Sequence, residues 1–346
     1  MKIKQTLFGV LLVFALILAA CSPTAAPTAE PAVEEQSVQD PVEVVEEPEE
    51  PELTPEPTEE PTVEPESEPM QFTDLLGREV ILEKGIATRI VSLSPSTTEI
   101  LFAIGAGDQV IGRDEASNYP EEALEVTDIG SMWEGLPSET ILALEPDLVL
   151  AGEVIAPESI YALEELGLTV YQQANPVDFD GLYANIQTLG EMAGHVEAAE
   201  ELATALAAQV SAIEDEVAYA ESLPLVFYEL DATEPDNPWT TGGGTFISLL
   251  IETAGGANLG SSLDGEWVQV SSEEIINQNP DIILLADAPY GISPESVAER
   301  PGWSTITAVQ QDQVYPFDPY LSSVPGPRMV QALEEMAKLI HPELFE

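Results

Sequence analysis

The sequence predicts an α/β protein of two similar lobes with mostly parallel sheets, joined by one long α-helix and preceded by a disordered N-terminal tether. Three observations predict it. A block of residues recurs 134 positions downstream, an uninterrupted helical stripe lies between the two copies, and the composition changes abruptly near residue 70.

The repeat sets the architecture. Trp133, Glu139, Pro146 and Asp147 return as Trp267, Glu273, Pro280 and Asp281. Around them, Ser138-Glu139-Thr140-Ile141 matches Ser272-Glu273-Glu274-Ile275, and Pro146-Asp147-Leu148-Val149-Leu150 matches Pro280-Asp281-Ile282-Ile283-Leu284. Each copy reads as a short helix leading through Pro-Asp into a continuous apolar strand, the signature of a sheet covered on both faces. Upstream, an apolar helix from Thr97 closes at Gly105 and another from Thr245 closes at Gly255. Glycine suits the left-handed residue that ends a helix. Two halves with the same order of parts imply two similar lobes.

Between the halves, Val196, Leu202, Leu206, Val210, Ile213 and Val217 fall on one helical stripe, with no proline or glycine from His195 to Glu221. A rod of that length spans about 40 Å and leaves little room for large domain closure. The expected boundaries are a first lobe over 71–193, the connecting helix over 194–222 and a second lobe over 223–346.

The N-terminus carries its own signals. Lys2 and Lys4 precede an apolar run from Leu7 to Ala20, which is short for a bilayer span but right for the core of an export signal. Residues 1–20 are therefore expected to be a signal peptide. Leu18-Ala19-Ala20-Cys21 resembles the lipobox of bacterial lipoproteins, in which the cysteine thiol is lipidated. Cys21 is the sole cysteine, which excludes disulfides. The stretch 22–70 holds 16 acids, 11 prolines and no Lys or Arg. Such a segment cannot bury enough apolar surface to offset its ordering entropy, and like charges extend it. It is expected to be a tether (21–70) that holds the rest off the membrane.

The remaining 276 residues carry 48 acids against 7 bases. That balance argues against nucleic acid as a partner, which requires basic patches, and against adsorption to anionic lipid.

Taken together, several motifs resemble those of the helical-backbone class of substrate-binding proteins that serve ABC importers of ferric siderophores, haem and cobalamin. They are Ile90-Val91-Ser92-Leu93-Ser94-Pro95, Ser131-Met132-Trp133-Glu134-Gly135, Ala143-Leu144-Glu145-Pro146-Asp147, Thr241-Gly242-Gly243 and Ala254-Gly255-Gly256-Ala257-Asn258. The run Glu266-Trp267-Val268-Gln269-Val270-Ser271 is most similar to the cobalamin-binding member. The resemblance implies two Rossmann-like lobes with the ligand between them and no resident cofactor. It implies an extracytoplasmic, lipid-anchored monomer that works with an importer permease and ATPase. It also implies ligand contacts from Trp133, Trp267 and Trp239, with Tyr119, Asp318 and Tyr320 at looser matches. Glu139 and Glu273 match the carboxylates that dock on importer arginines.

Each reading has a plainer competitor. Indoles provide large rigid apolar area for a macrocycle, but tryptophan is as often core. Glu139 and Glu273 each fall in the first turn of a helix, where the dipole alone favours an acid; Ser271 with Glu274 fits a capping box. Scarce cations disfavour anionic siderophore complexes and favour cobalamin. Haem stays open through Tyr119 or Tyr320, as does a hydroxamate siderophore. Neither His195 nor His341 is placed for a protein-only metal site. An enzyme is the reading from another class: Gly242-Gly243-Gly244-Thr245 before a helix offers N–H groups to an anion. However, no phosphate-loop Lys accompanies it, so a tight turn competes.

Overall fold

A computed structural model describes residues 68–132 and 135–345. The expected signal peptide, Cys21, the tether as far as residue 67, and Trp133 lie outside the described residues.

Met70, expected to close the tether, instead opens a hairpin. Strands β1 (Met70–Thr73) and β2 (Glu79–Leu82) pair antiparallel, Met70 opposite Leu82. The first lobe continues through β3 (Ile90–Ser92), α1 (Pro95–Ala103), β4 (Val110–Arg113), α2 (Ser138–Ala143), β5 (Leu148–Gly152), α3 (Pro157–Glu165), β6 (Val170–Gln173) and α4 (Phe179–Ala193). Its sheet has the order β4-β3-β5-β6, with every neighbour parallel. After α5 (Val196–Val217) come β7 (Leu225–Glu229), β8 (Trp239–Thr241), α6 (Phe246–Thr253), β9 (Ala257–Asn258), β10 (Trp267–Gln269), α7 (Ser272–Gln278) and β11 (Ile282–Leu285). The chain ends through α8 (Pro294–Ala298), α9 (Thr307–Gln310), β12 (Val314–Pro316), α10 (Pro319–Ser322) and α11 (Met329–Ile340). The second sheet, β12-β11-β7-β9, is again all parallel, and β8 with β10 forms a small antiparallel ribbon.

The continuous apolar strands are explained by covering on both faces. In β5, Leu148 and Leu150 enter one core cluster while Val149 and Ala151 enter another. In β11, Ile282 and Leu284 face one cluster and Ile283 and Leu285 the other. The cluster that takes Leu148 also takes Ile282, together with Leu206, Val210 and Ile213 of α5 and Met336 of α11. One apolar core therefore runs through both lobes, and two satellite cores line the far faces of the sheets.

The Pro-Asp repeat has a structural cause. Asp147 accepts hydrogen bonds from the N–H of Arg89 (2.9 Å) and Thr88, just before β3. Asp281 accepts one from the N–H of Leu225 (2.8 Å), the first residue of β7. In each lobe the aspartate that opens one strand anchors the start of its central neighbour.

Helix α5 lies inside the span expected of the connecting rod but is shorter at both ends. At 22 residues it reaches about 33 Å. Gly194, in the left-handed region (φ 74°), closes α4 instead of entering α5. The buried stripe also differs from expectation near its start. Val196 is exposed, and Ala199 and Ala203 are buried in its place. Close helix packing is the reason: a Cβ added at Gly190 of α4 would lie 2.3 Å from the Ala199 Cβ. Only small residues permit that approach. Gly105 and Gly255 adopt positive φ (80° and 81°) after α1 and α6, as the sequence pattern requires.

Candidate functional site

In parallel α/β sheets, ligands sit beyond the carboxyl ends of the strands. Here those ends from both lobes border one cavity of about 640 Å³. The first lobe supplies Leu93 and Ser94 after β3, Asp114 and Ala116 after β4, Gly152 at the end of β5 with Glu153 and Val154 after it, and Asn175 after β6. The second supplies Leu230 after β7, Phe246 at the start of α6, Glu266 and Trp267 at β10, and the loop Ser323–Pro325 ahead of α11.

Trp267 is 41% exposed, so it is not core. Its ring meets Phe246 edge-on, with centroids 5.9 Å apart and planes at 61°. Its strand is set by a turn that only glycine allows. The Gly242 N–H donates to the Glu266 carbonyl at 2.7 Å, and a Cβ at Gly242 would come within 1.9 Å of the Gly265 carbonyl oxygen. The glycine run thus serves a tight crossing, and its first N–H is already spent on the chain itself.

The polar lining is acidic. Asp114, 4% exposed, accepts from the Ser117 hydroxyl and from the Ala116 N–H at 3.3 Å. Burial pushes its carboxyl above the usual range, against those bonds and the nearby Arg113 charge. Glu153 accepts from the Asn175 N–H at 2.6 Å. Ser94 and Ser96 share a hydrogen bond of 2.8 Å at the head of α1. Among the described residues no Lys, Arg, His or Tyr lines the cavity.

Of the residues expected at the ligand, Trp267 lines this cavity, as does Met132 next to Trp133. Trp239 does not; it stands opposite Gln269 on the same ribbon, 40% exposed. Tyr119 also lies outside the lining, under the guanidinium of Arg328, 4.0 Å from the ring centroid. Asp318 caps α10 by accepting from the Tyr320 N–H at 2.9 Å, and Tyr320 lies beside the exposed Tyr290. Neither Asp318 nor Tyr320 reaches the lining. Lining residues outside the sequence motifs, such as Asp114, Glu153 and Leu230, share one signal: each directly follows a strand.

A family model described as periplasmic binding protein matches residues 90–321. The chain belongs to that family. It is 33% identical over 278 residues to an uncharacterised ABC transporter substrate-binding lipoprotein, YvrC, of Bacillus subtilis strain 168, covering 79% of this chain and 86% of the relative. It is 29% identical over 268 residues to a cobalamin-binding protein of Halobacterium salinarum strain R1, covering 73% of this chain and 69% of the relative. Among solved structures, the periplasmic haem-binding protein RhuT of Roseiflexus sp. RS-1 superposes with a TM-score of 0.67 at 27% identity, covering 75% of this chain and 99% of that one. This is an ABC transporter substrate-binding protein of the cobalamin, haem and siderophore class, a family of solute binders that work with an importer permease and ATPase.

The binding protein's two lobes are tied beside the cavity by a buried ion pair. Arg328, at the head of α11, bonds Glu99 of α1, 229 residues away in sequence. Burial pushes the Glu99 carboxyl up, with Arg328 pulling it back. Arg328 is therefore a bridge between lobes. Glu139 and Glu273 occupy the first turns of α2 and α7, exposed and in no ion pair among the described residues. The capping box forms only in half. Ser271 accepts from the Glu274 N–H at 3.2 Å, but the Glu274 carboxylate turns to Gln278. Trp303 is fully buried and donates to Ser272, a packing role. His341 is buried against the Gly255 carbonyl, and His195 precedes α5.

Proposed function

We propose that this binding protein captures cobalamin or a related corrinoid between its lobes as a monomer. In this reading lipid on Cys21 holds it at the extracytoplasmic face of the membrane, and residues 21–69 act as the spacer. The lobes are 70–194 and 223–346, braced by α5. Glu139 and Glu273, one per lobe, engage arginines of the importer, where paired charges set orientation and encounter.

The observation that carries the ligand assignment is the cavity's lining: an indole and a phenyl on a mostly apolar wall, with carboxylates and without cations, imidazoles or phenols among the described residues. A broad neutral macrocycle suits such a wall. Haem propionates and catecholate complexes are anionic and call for Arg or Lys. The cobalamin-binding relative supports the same choice. The ferric siderophore or haem reading is the alternative within the class.

Titration of the full chain in detergent with cyanocobalamin, haemin and a ferric hydroxamate, followed by tryptophan emission and ligand absorbance, tests the assignment. Saturable quenching by cyanocobalamin is expected. Tight binding of haemin or the hydroxamate with no response to cyanocobalamin overturns it. For the anchor, Cys21→Ser is expected to move the protein from membranes to the soluble fraction.

A further inference from the structure

Resting on the corrinoid reading, we infer that Asp114, Glu153 and Glu266 make the cavity selective for corrinoids whose peripheral side chains are amides, and reject those carrying free carboxylates. Two of these acids come from the first lobe and one from the second, so the acidic character belongs to the cavity as a whole. A carboxylate is an acceptor with about four lone-pair sites, and a primary amide offers two N–H donors. Asp114 spends its known bonds on Ser117 and Ala116, and Glu153 spends one oxygen on the Asn175 N–H. Each keeps capacity to accept from an amide above it.

Among the described residues no cation lines the cavity to compensate a ligand carboxylate. Arg78 is paired with Asp74 and Glu164, Arg300 with Glu229, Arg328 with Glu99 and Lys338 with Glu334. Arg89 donates to the carbonyls of Leu144 and Glu145. Arg113 donates to the carbonyls of Ala123 and Asp114. Lys84 is not a lining residue. A ligand anion in the cavity would face like charge at close range, where repulsion is least screened. Discrimination then comes from the repulsive element, and the amide form loses nothing.

The test compares cyanocobalamin with its monocarboxylic acid derivatives at pH 7.5, by isothermal titration on the full chain. The acids are expected to bind about tenfold or more weakly. In the double variant Glu153→Gln, Glu266→Gln, both at exposed positions, the ratio of amide to acid affinity is expected to narrow, whatever the change in absolute affinity for cyanocobalamin. Equal affinity of wild type for amide and acid, with cyanocobalamin bound tightly, overturns the selectivity and leaves the corrinoid reading standing. A gap unchanged in the double variant overturns the roles of Glu153 and Glu266. Absence of any corrinoid binding overturns both inference and reading.

Discussion

Phe246 buttresses Trp267: the buried phenyl stands 5.9 Å from the half-exposed indole, edge to face. The pairing keeps the large apolar ring upright at the cavity wall, with few rotors left to freeze when ligand arrives. A preformed surface of this kind avoids ordering cost on binding.

Trp267→Ala is therefore expected to weaken ligand binding by about 2 kcal/mol or more, the scale of an aromatic anchor. Because the indole is 41% exposed, thermal stability should change little. Titration calorimetry and a melting curve on the same variant separate the two effects. A large fall in Tm with unchanged affinity would assign Trp267 to packing.

The docking glutamates make the opposite separation. Reversing Glu139 and Glu273 to lysine together is expected to abolish uptake by cells while ligand affinity survives. Both positions are exposed in first helical turns, so a small loss from the helix dipole, about 0.3–1 kcal/mol each, is all that stability should show. Uptake assays beside binding isotherms give the answer; normal uptake removes the docking role.

Arg328 and Glu99 predict a stability effect that depends on pH. Arg328→Met strands a buried carboxylate, costing about 3 kcal/mol near neutrality. Burial already raises the Glu99 carboxyl in the folded state, and loss of Arg328 raises it further. A carboxyl raised on folding contributes its full stability below its unfolded value, and loses it as pH rises through the folded one. The cost of Arg328→Met should therefore shrink as the solution is acidified. Adding Glu99→Leu should recover most of it at neutral pH. Chemical denaturation at acid and neutral pH checks both.

Asp287 offers a second titration. It is buried, with one carboxylate oxygen lacking a partner, and burial followed by the charge of Glu229 pushes it from 3.8 up to about 7. Its penalty is absent below the unfolded value, grows as pH rises between the two, and is constant above about 7. Asp287→Asn keeps an acceptor for the Ala232 N–H and adds a donor towards Glu229. It should stabilise the protein at pH 8 by about 1 kcal/mol or more, roughly 3 °C in Tm, and leave it unchanged near pH 4. Equal melting shifts at both pH values would refute the titration.

Much of this architecture is written locally. The Pro146-Asp147 and Pro280-Asp281 repeats read as matching strands because each aspartate bonds backbone beside its own sheet. Gly105 and Gly255 are visible because a positive φ needs glycine there. The capping of α7 was half legible: Ser271 does its part, and the competing side chain of Gln278 takes Glu274 away. The buried stripe of α5 departs from the helical pattern at one end because Gly190, on another helix, approaches Ala199 too closely for a larger side chain.

What the sequence determined alone is therefore the order of parts, the duplication and the paired faces of the strands, since these follow from periodicity and from bonds between near neighbours or repeated text. Which side chains share the cavity was decided only in three dimensions. Asp114, Glu153 and Leu230 follow different strands, Trp267 opens another, and Arg328 finds Glu99 across 229 residues. Parallel sheets bring every carboxyl end to the same edge, so neighbours there are chosen by strand order and lobe packing, neither of which leaves a mark at short range.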